Sequence, residues 1–163
     1  MKDSLKELKL TKNSNHPYWS DSDFSMHELL ECLLEQTGPA VVRISSFSIT
    51  EIAIRAFTNL KDRGLITGLK CLFDFTVRQH RLGVLFFAAN VITHIALCKC
   101  HAKLILIEND EWKVAVVGSA NFNVNDKKEV GIISAVHSIY EKFSKKYDEW
   151  FAEALIVEKD EFE

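Results

Sequence analysis

The stretch HAKLILIENDEWKVAVVGSANFNVNDKKEVGII, residues 101–133, contains three β-type runs in close succession. HAKLILIE (101–108) and WKVAVVG (112–118) flank the turn-rich Asn109-Asp110-Glu111, a combination typical of a β-hairpin. EVGIIS (129–134) is the third run. Strand alternation places His101 and Lys103 on one face with Ile105 and Ile107, and the intervening residues on the other face.

Residues 40–97, which precede this stretch, alternate between strand and helix patterns. AVVRISSFSI (40–49), LITGLKCLFDF (65–75) and VITHIAL (91–97) have the composition of buried strands. A helix that Thr50 caps and a second helix, HRLGVLFFAAN (80–90), separate them. This βαβαβ order is typical of parallel strands joined by right-handed crossovers. We therefore predict an α/β fold with a mixed, mainly parallel β-sheet and flanking helices.

Each end of the chain adds a helix pattern. Ser25 and Glu28 have capping-box spacing ahead of a leucine-rich helix that Gly38-Pro39 ends, and Ser138 and Glu141 repeat that spacing ahead of a long C-terminal helix. Residues 1–20 are polar and aperiodic, which predicts a flexible arm. Residues 21–163 contain no linker, so we expect them to form a single domain.

Composition indicates a globular protein. The chain has 163 residues, of which 47% are hydrophobic and 26% charged. It contains no window of 18 uncharged apolar residues, so we expect no stable membrane insertion. Its four cysteines follow no secretory signal pattern, so we expect a cytoplasmic location. Cys98, Cys100 and His101 lack zinc-site spacing. We therefore expect no metal and no other cofactor.

Charge is unevenly distributed along the chain. The formal net charge is -3, yet residues 40–105 contain nine Lys and Arg against three acidic residues. The last sixteen residues, DEWFAEALIVEKDEFE, contain seven acidic residues and one Lys. This distribution is compatible with a basic face that binds a polyanion such as nucleic acid, and equally with two ordinary solvated faces.

Four elements of the 101–133 stretch form a recognisable order. His-x-Lys at His101 and Lys103 is followed by Gly-Ser-x-Asn at 118–121 and by an acid, Glu129, that opens the next β run. This order resembles the signature of the phospholipase D superfamily, and most of all its small, single-motif, nuclease-like members. Two features depart from the family pattern: Glu108 stands where an aspartate is usual, and the turn at 109–112 is longer.

The resemblance implies a phospholipase D-like fold and a metal-independent phosphodiesterase, more a nuclease than a lipase. A neutral imidazole can attack phosphorus, so His101 is the candidate nucleophile of a phosphohistidine mechanism. The side chains of Lys103, Ser119 and Asn121 are suitable donors to the nonbridging phosphate oxygens. The resemblance assigns Glu129 as the acceptor for the N–H of the His101 ring nitrogen that does not attack phosphorus.

A single imidazole does not readily both attack phosphorus and protonate the leaving oxygen. Because the chain has one His-x-Lys, we expect a homodimer in which a second His101 supplies the proton. Within the chain, His80 is the alternative, and Arg78, His80 and Arg81 are possible substrate contacts because they follow a predicted parallel strand. Two other functions stay open: a catalytically inactive nucleic-acid-binding or interaction module of the same fold, and a phospholipid-cleaving phosphodiesterase.

Overall fold

A computed structural model describes residues 3–124 and 126–159. Asp160–Glu163, the end of the acidic C-terminal segment, lie outside the described residues. The elements in chain order are α1 (Asp3–Lys6), β1 (Asn15–Asp21), α2 (Met26–Thr37), β2 (Ala40–Ser46), α3 (Glu51–Asp62), β3 (Ile66–Asp74), α4 (Phe75–His80), α5 (Leu82–Val91), β4 (His94–Cys98), β5 (Leu104–Glu108), β6 (Lys113–Gly118), β7 (Lys128–Ser134), α6 (His137–Glu153) and β8 (Leu155–Ile156).

The strands of the described ranges form one sheet in the order β1-β7-β6-β5-β2-β3-β4-β8. β2, β3 and β4 are parallel neighbours with helices between them in sequence, as predicted. α3 lies between β2 and β3. Between β3 and β4 lie α5, which was predicted, and the short helix α4, which was not. The remaining neighbouring pairs are antiparallel. The α/β fold with a mixed sheet is confirmed. The expectation that parallel pairs predominate is not met, because the β5–β6 hairpin adds β7 and β1 through antiparallel pairing.

Strand alternation divides the interior between the two faces of the sheet, as the sequence predicts. Ile105 and Ile107 of β5 enter the larger core, which α2, α3 and α5 cover. Leu104 and Leu106 enter a second core on the opposite face, against the α6 aromatics Tyr140, Tyr147 and Phe151. Both faces of β5 are therefore buried, which explains its continuous apolar sequence.

A buried arginine fastens α6 to the sheet. The Arg43 side chain on β2 is 11% exposed and donates to Tyr140 Oη at 2.7 Å, Ser144 Oγ at 2.7 Å and Asp148 Oδ1 at 3.0 Å. Tyr140 donates in turn to Glu108 Oε2 at 2.7 Å. Burial and the bond to Glu108 raise the pKa of Tyr140. Glu108, at the position of the usual aspartate, therefore accepts a hydrogen bond that joins α6 to β5.

One of the two predicted capping boxes is present. The Ser25 N–H donates to Glu28 Oε2 at 2.8 Å, and the Glu28 N–H donates to Ser25 Oγ at 3.4 Å. The second capping box, at Ser138 and Glu141, is wrong. α6 begins at His137, two residues earlier than that box requires, and Glu141 instead accepts from Lys113 Nζ at 2.6 Å across the gap to β6.

The chain after β2 is bonded to the segment that follows β6. Thr50 is the N-cap residue of α3, as predicted, but its hydroxyl donates to the Phe122 carbonyl oxygen rather than to the helix. The Thr50 N–H also donates to that oxygen, at 3.0 Å, and Ile49 forms an isolated bridge with Phe122. These bonds hold two loops together beside the sheet edge.

Residues 15–20, expected within a flexible arm, lie in strand β1. β1 pairs along its whole length with β7, and Trp19 lies opposite Val130. Tyr18 is buried and Trp19 is exposed, so the strand has one covered face. The run is short and includes Pro17, which an edge strand tolerates because its N–H side can face solvent. None of the described helices has the length and apolar character needed to span a bilayer.

The Tyr18 ring lies directly on a pair of glycines. Gly118 of β6 and Gly131 of β7 are opposite one another in the register. A Cβ atom would overlap the Tyr18 hydroxyl at Gly118 and the Tyr18 ring at Gly131, and at either position it would also overlap a neighbouring backbone carbonyl oxygen. Glycine is therefore required at both positions by the close approach of the ring.

We predict that Gly131→Ala destabilises the protein by about 1–3 kcal/mol, because the added methyl group displaces Tyr18 from a closely packed site. The free energy of unfolding is measured from urea denaturation. Gly68→Ala is the matched control, since its Cβ would meet only the Val41 methyl groups at 3.6 Å and 3.7 Å. Equal losses of stability in the two variants would contradict the proposed packing constraint.

Candidate active site

The predicted site residues lie near one edge of the sheet. β2, β3, β4 and β6 end at this edge, and β5 and β7 begin there. Loops at the carboxyl ends of parallel strands are where α/β proteins place their ligand sites. The antiparallel hairpin brings the end of β6, and with it the Gly-Ser-x-Asn motif, to the same edge as His101.

His101 and Lys103 contact each other. β5 begins at Leu104, later than the predicted start at His101, so both residues lie in the loop that enters the strand. Lys103 Nζ is 2.9 Å from His101 Nδ1 and 3.3 Å from Nε2, and it donates to the His101 carbonyl oxygen at 2.7 Å. Burial lowers the pKa of Lys103, against the opposing influence of Cys100 and Glu129. The ammonium and imidazole groups thus form one unit at the sheet edge.

An aromatic ring that the sequence analysis did not single out packs against this pair. Phe47 follows β2, and its ring centroid is 5.0 Å from that of His101 at an interplanar angle of 52°. Lys103 Nζ is 6.0 Å from the centroid of Phe47. The only signal in the sequence is its position, immediately after a predicted parallel strand. Phe47 limits how far the imidazole can rotate away from Lys103.

Asn121 holds the loop that carries Phe47. Its Oδ1 accepts from the Phe47 N–H at 3.0 Å, from the Ser48 N–H at 3.4 Å and from Ser46 Oγ at 3.2 Å. Backbone N–H groups are donors only, so they fix which end of the amide is the oxygen. The Nδ2 donor therefore lies at the opposite end of the amide group.

Ser119 and Glu129 form a second hydrogen-bonded pair. Ser119 Oγ donates to Glu129 Oε2 and accepts from the Val130 N–H at 3.1 Å. The Glu129 charge also acts on Lys103, whose pKa it tends to raise, and on Tyr18. Burial first, and Glu129 second, raise the pKa of Tyr18 to about 12. The structure thus places Glu129 beside Ser119 and within electrostatic range of the His101–Lys103 pair.

A buried carboxylate, also missed by the sequence analysis, fixes the backbone next to His101. Asp74 ends β3, and its two carboxylate oxygens accept from the Thr76 N–H and the Cys100 N–H, each at 2.9 Å. Burial tends to raise the pKa of Asp74, but these hydrogen bonds and the nearby His101 outweigh it and lower the pKa. An acid at the end of a predicted parallel strand was the available signal.

The cluster of Arg78, His80 and Arg81 stands apart. Arg78 and His80 lie on the short helix α4, Arg81 follows it, and all three side chains are exposed. None of the three lines the groove around His101 and Lys103. The structure therefore does not bring His80 into the constellation formed by the four motif elements.

Two depressions flank the Ser119–Asn121 segment. One, of about 360 Å³, is a groove between the motif and α6, lined by His101, Lys103, Leu104, Val117, Ser119, Phe143, Lys146 and Trp150. The other, of about 280 Å³, lies toward β1 and α2, and its lining includes Asn121 and Glu129. Residues 3–124 and 126–159 contain no group of three or more His, Cys, Asp and Glu side chains placed to hold a metal ion.

No protein-family model and no curated protein sequence matches this chain. Solved structures do match it. The phospholipase D family member Nuc from Salmonella typhimurium superposes with a TM-score of 0.69 at 16% sequence identity, over 89% of this chain and 98% of Nuc. This chain has the phospholipase D fold.

Two further structures share this phospholipase D fold. NucT from Helicobacter pylori matches with a TM-score of 0.66 at 16% identity, over 87% of this chain and 99% of NucT. Phosphatidylserine synthase from Haemophilus influenzae Rd KW20 matches with a TM-score of 0.61 at 11% identity, over 88% of this chain and 40% of the synthase. The resemblance first recognised in residues 101–133 therefore extends, as a fold, over most of the chain.

We predict that Asp74→Asn lowers stability at neutral pH by about 1–3 kcal/mol, because one amide oxygen replaces two carboxylate acceptors for buried N–H groups. The pKa of Asp74 is lowered in the folded protein, so its stabilisation is present above the unfolded pKa of about 4 and is lost as the pH falls through the folded value. The urea midpoints of the wild type and of Asp74→Asn, measured between pH 2 and pH 7, should differ at neutral pH and become equal at the lowest pH. The exposed Asp62→Asn is the control, and a gap independent of pH would contradict the prediction.

Proposed function

We propose that this protein is a cytoplasmic, metal-independent phosphodiesterase that hydrolyses nucleic acid through a phosphohistidine at His101. The observation that supports this most is the contact of His101 with Lys103 beside Ser119, with Asn121 two residues on, in a phospholipase D fold. The four cysteines are free thiols, as is usual in a reducing compartment.

The proposed reaction proceeds in two displacements. In the first, a ring nitrogen of His101 attacks phosphorus; the N–P bond forms as the P–O bond to the leaving group breaks, and an acid protonates the leaving oxygen. In the second, water attacks phosphorus and gives its proton to the conjugate base of that acid. The new O–P bond forms as the N–P bond breaks, and both the free imidazole and the acid are restored. Splitting the hydrolysis in this way replaces one difficult step with two easier ones.

The residues around His101 are suited to the charge that develops on phosphorus. The Lys103 ammonium and the Asn121 Nδ2, whose direction the bonds to Phe47 and Ser48 fix, are donors for nonbridging oxygens. Ser119 adds a hydroxyl, held by Glu129 and Val130. We propose that Glu129 accepts from the ring N–H of His101 that does not face phosphorus, the role that the resemblance implies, and that it also holds Ser119.

Nucleic acid is the proposed substrate, although the positive segment 40–105 does not form one basic face. Arg43, Arg55 and Arg63 of that segment are bonded to carboxylates. The support for nucleic acid comes from two arginines, Arg78 and Arg81, which follow β3 at its carboxyl end. We propose that they contact the phosphates that flank the scissile one. The fold shared with a phosphatidylserine synthase makes phospholipid the second candidate substrate.

We predict that His101→Asn reduces hydrolysis of bis(p-nitrophenyl) phosphate and of DNA oligonucleotides by about 10⁴-fold, because it removes the nucleophile. The assay contains EDTA, in which the wild type should retain full activity. Mass spectrometry after an alkaline quench should detect a phosphoryl adduct on His101 in the wild type alone. The control is His94→Asn, which alters an exposed histidine at the start of β4, at the opposite sheet edge.

Three results would reject parts of this proposal. Activity that disappears in EDTA but survives His101→Asn would exclude the mechanism. Cleavage of phospholipid vesicles without cleavage of DNA would show that the substrate is phospholipid and not nucleic acid. Salt-sensitive DNA binding without turnover of any phosphate ester would identify the protein as an inactive binding module.

We also propose that a second copy of the chain supplies the proton for the leaving oxygen from its own His101. The support is an apolar surface on the α6 side of β1, β7 and β6. Trp19, Val130 and Ile132 are 67%, 63% and 50% exposed, and Val117 lies opposite Ile132 in the register. Contiguous exposed apolar surface of this kind marks interaction sites. This apolar surface extends to Val117, which also lines the groove beside His101. Two copies that associate through this surface would therefore place their two His101 side chains near a common two-fold axis.

We predict that the wild type is a dimer at micromolar concentration and that Ile132→Lys is a monomer with strongly reduced hydrolysis, because a charge replaces a contact at the interface. Sedimentation velocity measures the association state. Val41→Lys is the matched control, since Val41 is a similarly exposed strand residue outside this surface. A wild type that is monomeric and fully active would overturn the shared site, and His80→Asn would then test the alternative acid.

A further inference from the structure

One wall of the groove beside His101 has no role in the mechanism proposed above. Helix α6 contributes Phe143, Lys146 and Trp150 to this wall. Their spacing of three and then four residues places them on one stripe of the helix. Leu104, which is buried, and Val117, which is 37% exposed, also line this groove. The groove therefore joins the reacting groups to two aromatic rings and a cation.

The stripe is held in place by the buried side of the same helix. Tyr140, Tyr147 and Phe151 anchor α6 in the second core, and Arg43 bonds to three side chains of α6. Trp150 nevertheless remains 38% exposed. A large aromatic side chain on a fixed helix, open to a groove, is a ready surface for a planar ligand.

The cation on the stripe is available to a ligand at little cost. Lys146 is paired with Glu149 one turn along α6, and both side chains are about half-exposed. An exposed ion pair of this type contributes little to stability, so a phosphate can replace the carboxylate as partner. Lys146 and Lys103 then mark two positions for negative charge along one groove, with an aromatic ring near them.

We propose that this wall is a base-binding subsite for single-stranded nucleic acid, an inference that rests on the proposed nuclease function. The base next to the scissile phosphate stacks on Trp150, and Lys146 contacts the adjoining phosphate. Aromatic stacking combined with backbone cations is how proteins bind single strands without sequence preference. In a duplex the bases are stacked on one another and are not presented to Trp150. The subsite therefore selects single strands over duplexes.

The test measures binding separately from turnover. Fluorescence anisotropy gives the affinity of a labelled ten-residue oligothymidylate, and of a duplex of the same length, in EDTA on the His101→Asn background. Adding Trp150→Ala should weaken single-strand binding by about 5- to 150-fold, which corresponds to the free energy of one stacked base. Duplex binding should change much less. Trp150→Phe should restore most of the affinity, because it retains a ring for stacking.

Trp112→Ala is the matched control, because Trp112 is a partly exposed tryptophan beside the β5–β6 turn, at the sheet edge away from His101. It should leave both affinities within twofold of the parent. Thermal unfolding followed by circular dichroism shows whether each variant is folded. If Trp150→Ala does not fold, the oligonucleotide is titrated into the parent and into Trp150→Phe while tryptophan fluorescence is recorded. Stacking on Trp150 should then give quenching in the parent that is reduced in Trp150→Phe.

The outcomes separate this inference from the proposed function. Unchanged single-strand affinity in folded Trp150→Ala would overturn the subsite even if the enzyme cleaves DNA. A Trp150-dependent preference for single strands in a wild type that hydrolyses no phosphodiester would support the subsite and reject the nuclease. Binding to phosphatidylcholine–phosphatidylglycerol vesicles that depends on Trp150, without oligonucleotide binding, would show that the wall holds lipid and overturn the inference.

Discussion

The hydrogen bonds that Asn121 accepts from Phe47 and Ser48 are the constraint on which the candidate site depends. Together with the Ile49–Phe122 bridge, they join the loop after β2 to the segment after β6, although β2 and β6 are not neighbours in the sheet. Backbone N–H groups at strand ends have lost their ladder partners, and a side-chain oxygen replaces them. In the same way, the carboxylate of Asp74, at the end of β3, accepts from the Cys100 N–H, which follows the end of β4. Two side-chain acceptors thus set the positions of His101 and of the ring packed against it.

Helix α6 connects the stability of the fold to the chemistry of the groove. Its inward aromatics close the second core, and Arg43 crosses from β2 to bond with it at three points. Glu108 belongs to this arrangement through Tyr140. A longer side chain than the aspartate usual in the motif therefore reaches the hydroxyl of an α6 tyrosine. The glutamate in place of the usual aspartate therefore changes how α6 is attached to β5 and does not alter the proposed phosphate donors.

Much of the fold follows from local sequence, and much of the site does not. β2, α3, β3, α5 and β4, the hairpin, and the two faces of β5 are encoded by patterns within a few residues. The short elements α1, β1, α4 and β8 were missed. β1 and β8 form only by pairing with strands that are remote in sequence. The motif residues carry their own spacing and could be named in advance. Phe47 and Asp74 could not, because their roles arise from the meeting of strand ends, which are remote in sequence.

The packing of Tyr18 on Gly118 and Gly131 has a consequence for the order in which the molecule forms. β1 spans residues 15–21, yet its partner strand is β7, residues 128–134. Contacts between segments so far apart carry a large loop-closure entropy and form slowly. We expect β2, β3 and β4 to assemble first and β1 to join last. Strand β7, which carries Glu129, then gains its second neighbour in the sheet only in the final stage of folding.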